Sequence, residues 1–283
     1  MVRVRVVPVG IAAVLAASLA AEEPGFLRRR LSEVQPRPDG LTAGTRSATY
    51  KALFGAGDAD AGRLISVARY GELTVGPGGS SAAVSYPAEE QIYYILEGNG
   101  TLLYGEEEVT VKKDDFMYLP AGVKHGMANR SGSPVRLLVM GYRIPSSVPP
   151  TPKLMLANAG EVPLQILGGH GPTSQFKLLM GTTQSRRDKL AAAHVMVSLF
   201  VMDFAPGGTN IPHRHLAEEE IYFVLRGSVD MVAGSTPDGA EVRHPAREGD
   251  AFFFAPKTLV GFYSHAKVDE PHDLVVAVRS RVR

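Results

Sequence analysis

The sequence predicts an all-β protein made of two copies of one strand-rich unit in tandem, and three observations lead there. Short runs of β-branched and aromatic residues are punctuated by turn formers, with 30 Gly and 20 Pro among 283 residues. No segment carries a long apolar stripe at helical spacing. The second half also repeats the first. Gln91-Ile-Tyr-Tyr-Ile-Leu-Glu-Gly98 aligns with Glu220-Ile-Tyr-Phe-Val-Leu-Arg-Gly227 at a separation of 129, and Asp114-Asp-Phe-Met-Tyr-Leu119 aligns with Gly249-Asp-Ala-Phe-Phe-Phe254 at a separation of 135. The six-residue difference predicts a longer hairpin loop in the second copy, around Gly234–Gly239.

Taken in chain order, the first 20 residues read as an export signal. Arg3 and Arg5 form a short basic start, Val6 to Ala17 is apolar, and Ser18-Leu19-Ala20 offers a small-residue cleavage site. Pro8 and the shortness of the run argue against a membrane anchor. The expected protein is therefore periplasmic or extracellular, with no stable membrane insertion once the signal is cleaved. Residues 21–49 are polar, partly basic at Arg28-Arg29-Arg30, and read as an N-terminal arm. Strand-type segments follow over 50–145, including Ile92–Leu96, Thr101–Tyr104, Val109–Val111, Phe116–Leu119 and Val135–Tyr142. The Pro-dense stretch from Ile144 to Pro152 cannot continue a sheet and opens a linker over 146–176; the second unit spans 177–283.

Charge and cysteine content narrow the chemistry. The 30 basic and 29 acidic residues nearly cancel, so no basic surface for nucleic acid is indicated. Cysteine is absent, which excludes disulfides, thiolate zinc sites and iron–sulfur clusters and leaves histidine and carboxylate as ligand types.

The richest segment runs from Gly207 to Gly227 and contains His213-Arg-His215 and Glu220. Residues two apart on a strand share a face, so His213 and His215 converge, and Glu220 opens the next strand beside them. Two imidazoles and a carboxylate suit divalent Mn, Fe, Ni, Cu or Zn with coordination positions left open. By strand parity Tyr222 shares the Glu220 face, as a neighbour of the ligands or a contact to substrate. His194 is a further side chain able to complete the centre. Phe252, Val260 and Phe262 are candidates for the pocket wall, while His244, His265 and His272 are expected on loops or edges.

The order Gly207, His213-x-His215, Glu220, Gly227 resembles the first motif of the cupin family, in the germin and bicupin pattern. The resemblance covers both halves and implies two tandem jelly-roll β-barrels, each with an internal pocket. A second cupin motif normally adds a histidine shortly after a Pro-x-Gly turn. The first barrel has that motif, Pro120-Ala-Gly122-Val-Lys-His125 with Asn129 beyond, but places Val84, Tyr86 and Gln91 where the other ligands belong. The second barrel keeps His213, His215 and Glu220 and has Val260 in place of the fourth ligand. The first site is thus degenerate, with His125 a lining or hydrogen-bonded histidine, and the second is coordinatively open.

An open centre suits a metalloenzyme acting on a small organic substrate, of the oxygen-using or lyase type found in germin-like and quercetinase-like proteins. The layout is also similar to that of ureidoglycine aminohydrolases, which implies a hydrolytic alternative. A non-catalytic bicupin that binds or senses a small ligand is the other reading. The family further implies a homodimer, with the 22–49 arm draped over or exchanged with a neighbour.

Overall fold

The chain is described from a computed structural model over residues 25–149 and 151–282; the expected export signal lies outside the described residues. The first half contains β1 (Phe26–Arg30), β2 (Ala48–Gly55), β3 (Val67–Val75), β4 (Glu89–Glu97), β5 (Asn99–Tyr104), β6 (Glu107–Lys112), β7 (Asp115–Leu119), β8 (His125–Ala128) and β9 (Val135–Arg143). After the Pro-rich stretch come β10 (Met155–Asn158), β11 (Ser174–Thr182), β12 (Leu190–Ala193), β13 (Met196–Phe204), β14 (Thr209–Arg214) and β15 (Glu218–Arg226). The chain closes with β16 (Ser228–Ser235), β17 (Glu241–Arg247), β18 (Asp250–Phe254), β19 (Leu259–Ser264) and β20 (Asp273–Arg281). Helical structure among the described residues is confined to short 3-10 turns.

Each half is a jelly roll of a large sheet facing a small one. The first pairs the order β10-β7-β4-β9-β3-β2 with β6-β5-β8; the second pairs β1-β18-β15-β20-β13-β11-β12 with β14-β19-β16-β17. The internal repeat is visible in this order, since β7-β4-β9-β3-β2 and β18-β15-β20-β13-β11 correspond strand for strand. Each large sheet ends on a strand lent by a segment outside the repeat. The arm supplies β1, which pairs with β18 of the chain's own second barrel, and the segment read as a linker supplies β10, which pairs with β7 of the first. Both loans cover an edge that would otherwise expose unpaired backbone groups.

The repeat motif is apolar without interruption because both of its faces are buried. In β4, Tyr93 and Ile95 point into the first barrel while Ile92 and Tyr94 join a core between the barrels. In β15, Tyr222 and Val224 point into the second barrel while Ile221 and Phe223 join that same shared core. The motif ends on Gly98 and Gly227 for a steric reason. Both have positive φ (81° and 89°), and a Cβ would lie 2.4 Å from Pro134 O in one and 1.8 Å from Asp273 Oδ1 in the other. In the first barrel β5 and β6 are joined by Gly105-Glu106 alone, whereas Thr236–Ala240 joins β16 to β17 in the second.

Strand parity also sends one glutamate of each motif outward. Glu90 is fully buried and accepts the backbone N–H groups of His194, Val195 and Met196 at 2.8, 2.9 and 2.8 Å. Glu219, equally buried, accepts those of Ile65, Ser66 and Val67 at 2.6, 2.8 and 3.2 Å, together with the Ser66 hydroxyl. The two nests are equivalent by the repeat and clamp each barrel to a loop of the other. Burial raises the pKa of Glu90, and the three N–H donors offset part of that rise.

Glu90→Ala or Glu219→Ala orphans three buried N–H groups and is expected to cost about 3 kcal/mol of unfolding free energy. Glu33→Ala, which breaks only the exposed pair with Arg30, is expected to leave the denaturation midpoint essentially unchanged. Chemical denaturation of the three variants checks both expectations.

Candidate metal centre

The centre forms where β14, an edge strand, meets the start of β15. The β14–β19 register shifts between Asn210 and His213: Asn210 pairs with Phe262 and His213 with Val260, so Ile211 and Pro212 together face Gly261. Pro212 is tolerated because a bulge on an edge strand needs no N–H from it. The bulge aims His213 inward. His215 follows the end of β14 and is fixed by its carbonyl, which accepts the Lys257 N–H at 2.7 Å.

His213 Nε2 lies 3.0 Å from His215 Nε2, and His215 Nε2 lies 3.2 Å from Glu220 Oε2. One donor atom from each residue falls within 4.8 Å of the others. The outer ring nitrogens face acceptors: His213 Nδ1 donates to Ile211 O at 2.8 Å, and His215 Nδ1 is 3.3 Å from Glu218 Oε2. That arrangement directs both Nε2 lone pairs at each other and at a carboxylate. Three electron-rich atoms at this spacing repel unless a cation or a shared proton lies among them. Acceptors behind ligating imidazoles are also how metal sites fix the tautomer.

A cavity of about 300 Å³ opens onto these atoms. Tyr222 lines it, fully buried; its hydroxyl accepts from Asn210 Nδ2 at 2.7 Å and lies near the Glu220 carboxylate. Burial, with the Glu220 charge beside it, holds the Tyr222 pKa far above its ordinary value. Arg279, paired with Glu220 in the β15–β20 ladder, also lines the cavity beside Phe200. A larger cleft of about 840 Å³ lies between the barrels, with Lys51, Asp114, Arg136 and Lys177 on its walls, away from His213, His215 and Glu220.

The remaining site candidates distribute as follows. Val260 lies opposite His213 in the ladder, and Phe252, Val260 and Phe262 belong to the core of the second barrel and not to the cavity lining. His194 does not join the centre. It sits between β12 and β13, where its backbone N–H serves Glu90 and its ring meets Thr151 Oγ1 at 3.1 Å. The two-residue gap between those strands turns it toward the segment joining the barrels. Tyr86, Gln91 and His125 lie in the first barrel. His244 is on the outermost strand of its sheet, and His265 and His272 are in loops against Asp230 and Asp203.

The histidine that the fold does bring to the cavity is His170, which sequence reasoning passed over. It stands on Gly168-Gly169-His170-Gly171, ahead of β11, with its ring edge-on to Phe176 at 4.7 Å between centroids. Its Nδ1 is buried without a partner. Burial lowers the His170 pKa, and nearby His213 adds to the effect. A lone histidine among glycines was its only signal in the sequence.

The comparisons with known proteins agree with the fold. The cupin domain family matches residues 71–141 and 200–276, just over half of the chain. Germin-like protein subfamily 2 member 1 of Arabidopsis thaliana is 38% identical over 86 residues, which cover 30% of this chain and 38% of that protein; the match thus spans well under half of the relative's length. Protein Ylba of Escherichia coli superposes with a TM-score of 0.68 at 15% identity, covering 95% of this chain and 96% of that one. The E. coli pirin YhhW in complex with nickel(II) superposes at 0.64 with 13% identity, covering 91% and 100%. At such identities the two structures show the shared fold.

Tyr222→Phe removes the hydroxyl between Asn210 and Glu220 and leaves a buried amide without its acceptor. The expected loss is about 1–2 kcal/mol of stability, measured by denaturant titration.

Proposed function

As the chain belongs to the cupin family, we propose that its second barrel holds one divalent transition metal on His213, His215 and Glu220 and acts on a small organic substrate in the adjoining cavity. The observation that carries this reading is the mutual approach of two imidazole Nε2 atoms and a buried carboxylate whose outer partners leave the lone pairs facing inward. Mn, Fe, Ni, Cu and Zn all accept this ligand set; nickel is the ion in the related pirin structure. Three protein ligands, with Val260 where a fourth would stand, leave positions for a substrate or water.

When bound, the metal supplies Lewis-acid polarisation or a site for a redox step. The protein's own groups define the rest. Glu218 and Ile211 O orient the imidazoles, and the hydrogen-bonded Tyr222–Asn210 pair stands beside Glu220. Phe176 and Phe200 exclude water from one wall. Nδ1 of His170 is the free proton acceptor in the cavity, set to take a proton from a substrate or from water. An oxygen-using or lyase-type reaction fits the open positions. A hydrolytic reaction is the second reading, favoured by the unpaired His170 nitrogen. The basic-then-apolar start of the chain supports export, and the family supports a homodimer.

Elemental analysis of purified protein is expected to give about one metal per chain. His213→Ala is expected to weaken binding by roughly 100-fold or more, and Val260→His to strengthen it by about 10-fold by supplying the fourth ligand. His170→Gln is expected to keep the metal and lose roughly 100-fold in kcat, read in an activity screen that follows oxygen uptake and ammonia release. Wild-type protein without stoichiometric metal, even after incubation with each ion, overturns the proposal.

A further inference from the structure

The first barrel has lost the metal-ligand chemistry but kept the convergence of the positions. By the 129-residue separation Tyr86 stands for His215 and Gln91 for Glu220, and by the 135-residue separation His125 stands for Val260. The backbone repeats the relation: Val84 bridges His125 as His213 pairs with Val260. At each of the three converging positions the side chain ends in a buried polar atom without a partner, namely Tyr86 OH, Gln91 Oε1 and His125 Nε2. Tyr93 OH and Tyr50 OH are two more in the same interior. The His125 ring centroid is 5.5 Å from that of Tyr93 and 5.9 Å from that of Tyr86. A few such atoms per 100 residues is normal for a folded protein; here five fall within one barrel interior, with the Tyr86 and Tyr93 rings both against that of His125.

The neighbouring bonds fix what these positions offer. Gln91 Nε2 donates to Glu89 Oε2 at 2.8 Å, which leaves Oε1 as an acceptor. His125 Nδ1 donates to Val123 O at 2.9 Å, which leaves Nε2 as a lone pair, and burial lowers the His125 pKa so that the ring stays neutral. Three tyrosine hydroxyls serve in either sense. The one cation in reach, Arg69, is matched by Glu89 at 3.0 Å and Asp39 at 3.4 Å and stacks on Tyr86 at 3.8 Å. An anion would meet two fixed acceptors and a surplus of negative charge. A metal ion would find one imidazole nitrogen and an amide oxygen, too few ligands to hold it.

We propose that the first barrel is a binding site for a small uncharged molecule with at least two N–H or O–H donors, an amide or polyol of a few heavy atoms, held by Gln91, His125 and the tyrosines. Its cover is the turn Gly40–Thr42, whose Leu41 is fully buried over the interior. Asp39 latches this cover, since its carboxylate accepts the Leu41 N–H at 2.9 Å and pairs with Arg69. The site is independent of the metal in the second barrel.

The test uses methyl NMR on the full protein with acetamide and glycerol as separate probes. Met117 and Met127 report on the first interior, Met202 and Met231 on the second. The expected result is a saturable shift of Met117 and Met127 with at least one probe, while Met202 and Met231 stay unmoved. Tyr93→Phe, a conservative change that preserves packing, and His125→Phe are each expected to weaken that binding by about 10-fold. Shifts that do not saturate, that appear equally in both barrels, or that survive both substitutions would mean an interior that holds only water, and would overturn the proposal.

Discussion

The two large sheets are buried on both faces, and the rest of the molecule depends on that constraint. A strand with one face in a barrel and the other in a shared core cannot shift register by one residue without exchanging its two environments. β4 and β15 are the strands so placed, and they carry the decisive glutamates and glutamine. Glu90 and Glu219 face outward and close reciprocal nests on the opposite barrel. Gln91 and Glu220, one residue on, face inward and belong to the interiors. The joint between the barrels and the site within each are therefore set by the same register.

This parity explains how three consecutive glutamates do three different things. Glu218, at the strand entrance, lies behind His215 and beside Arg279. Glu219 crosses to the first barrel. Glu220 joins the imidazoles at the centre. Each is one backbone step from the next, yet a substitution at each would be read out in a different place: the setting of the His215 ring, the stability of the joint, or the His213–His215–Glu220 cluster itself.

Duplication followed by divergence has left complementary interiors. Where the second barrel pairs His213 with Val260, the first pairs Val84 with His125. The second interior keeps His213, His215 and Glu220 close together beside a cavity. The first substitutes hydroxyl, amide and a single neutral imidazole, and is closed by Leu41 and the Arg69–Tyr86 stack. The two segments outside the repeat then complete the opposite ends of the molecule: the arm lends β1 to the second barrel, and the segment after the Pro-rich stretch lends β10 to the first and His170 to the cavity.

The sequence by itself determined the all-β class, the duplication and the grouping of His213, His215 and Glu220. Those follow from short β-branched and aromatic runs, from turn glycines such as Gly98 and Gly227 that end them, and from the spacing of two histidines and a glutamate within a dozen residues, all of which are local. It also showed that Val260 and His125 occupy equivalent positions. Only the tertiary structure decided which further histidine lines the cavity beside His213, His215 and Glu220. His170 and His194 each lie outside the motif, and nothing local distinguishes them; the path of β11 and β12 brings one to the cavity and turns the other toward Thr151. The reciprocal carboxylate nests were hidden for the same reason. Their partners lie more than 100 residues away and are backbone N–H groups, which every residue but proline carries, so no side-chain pattern could announce them.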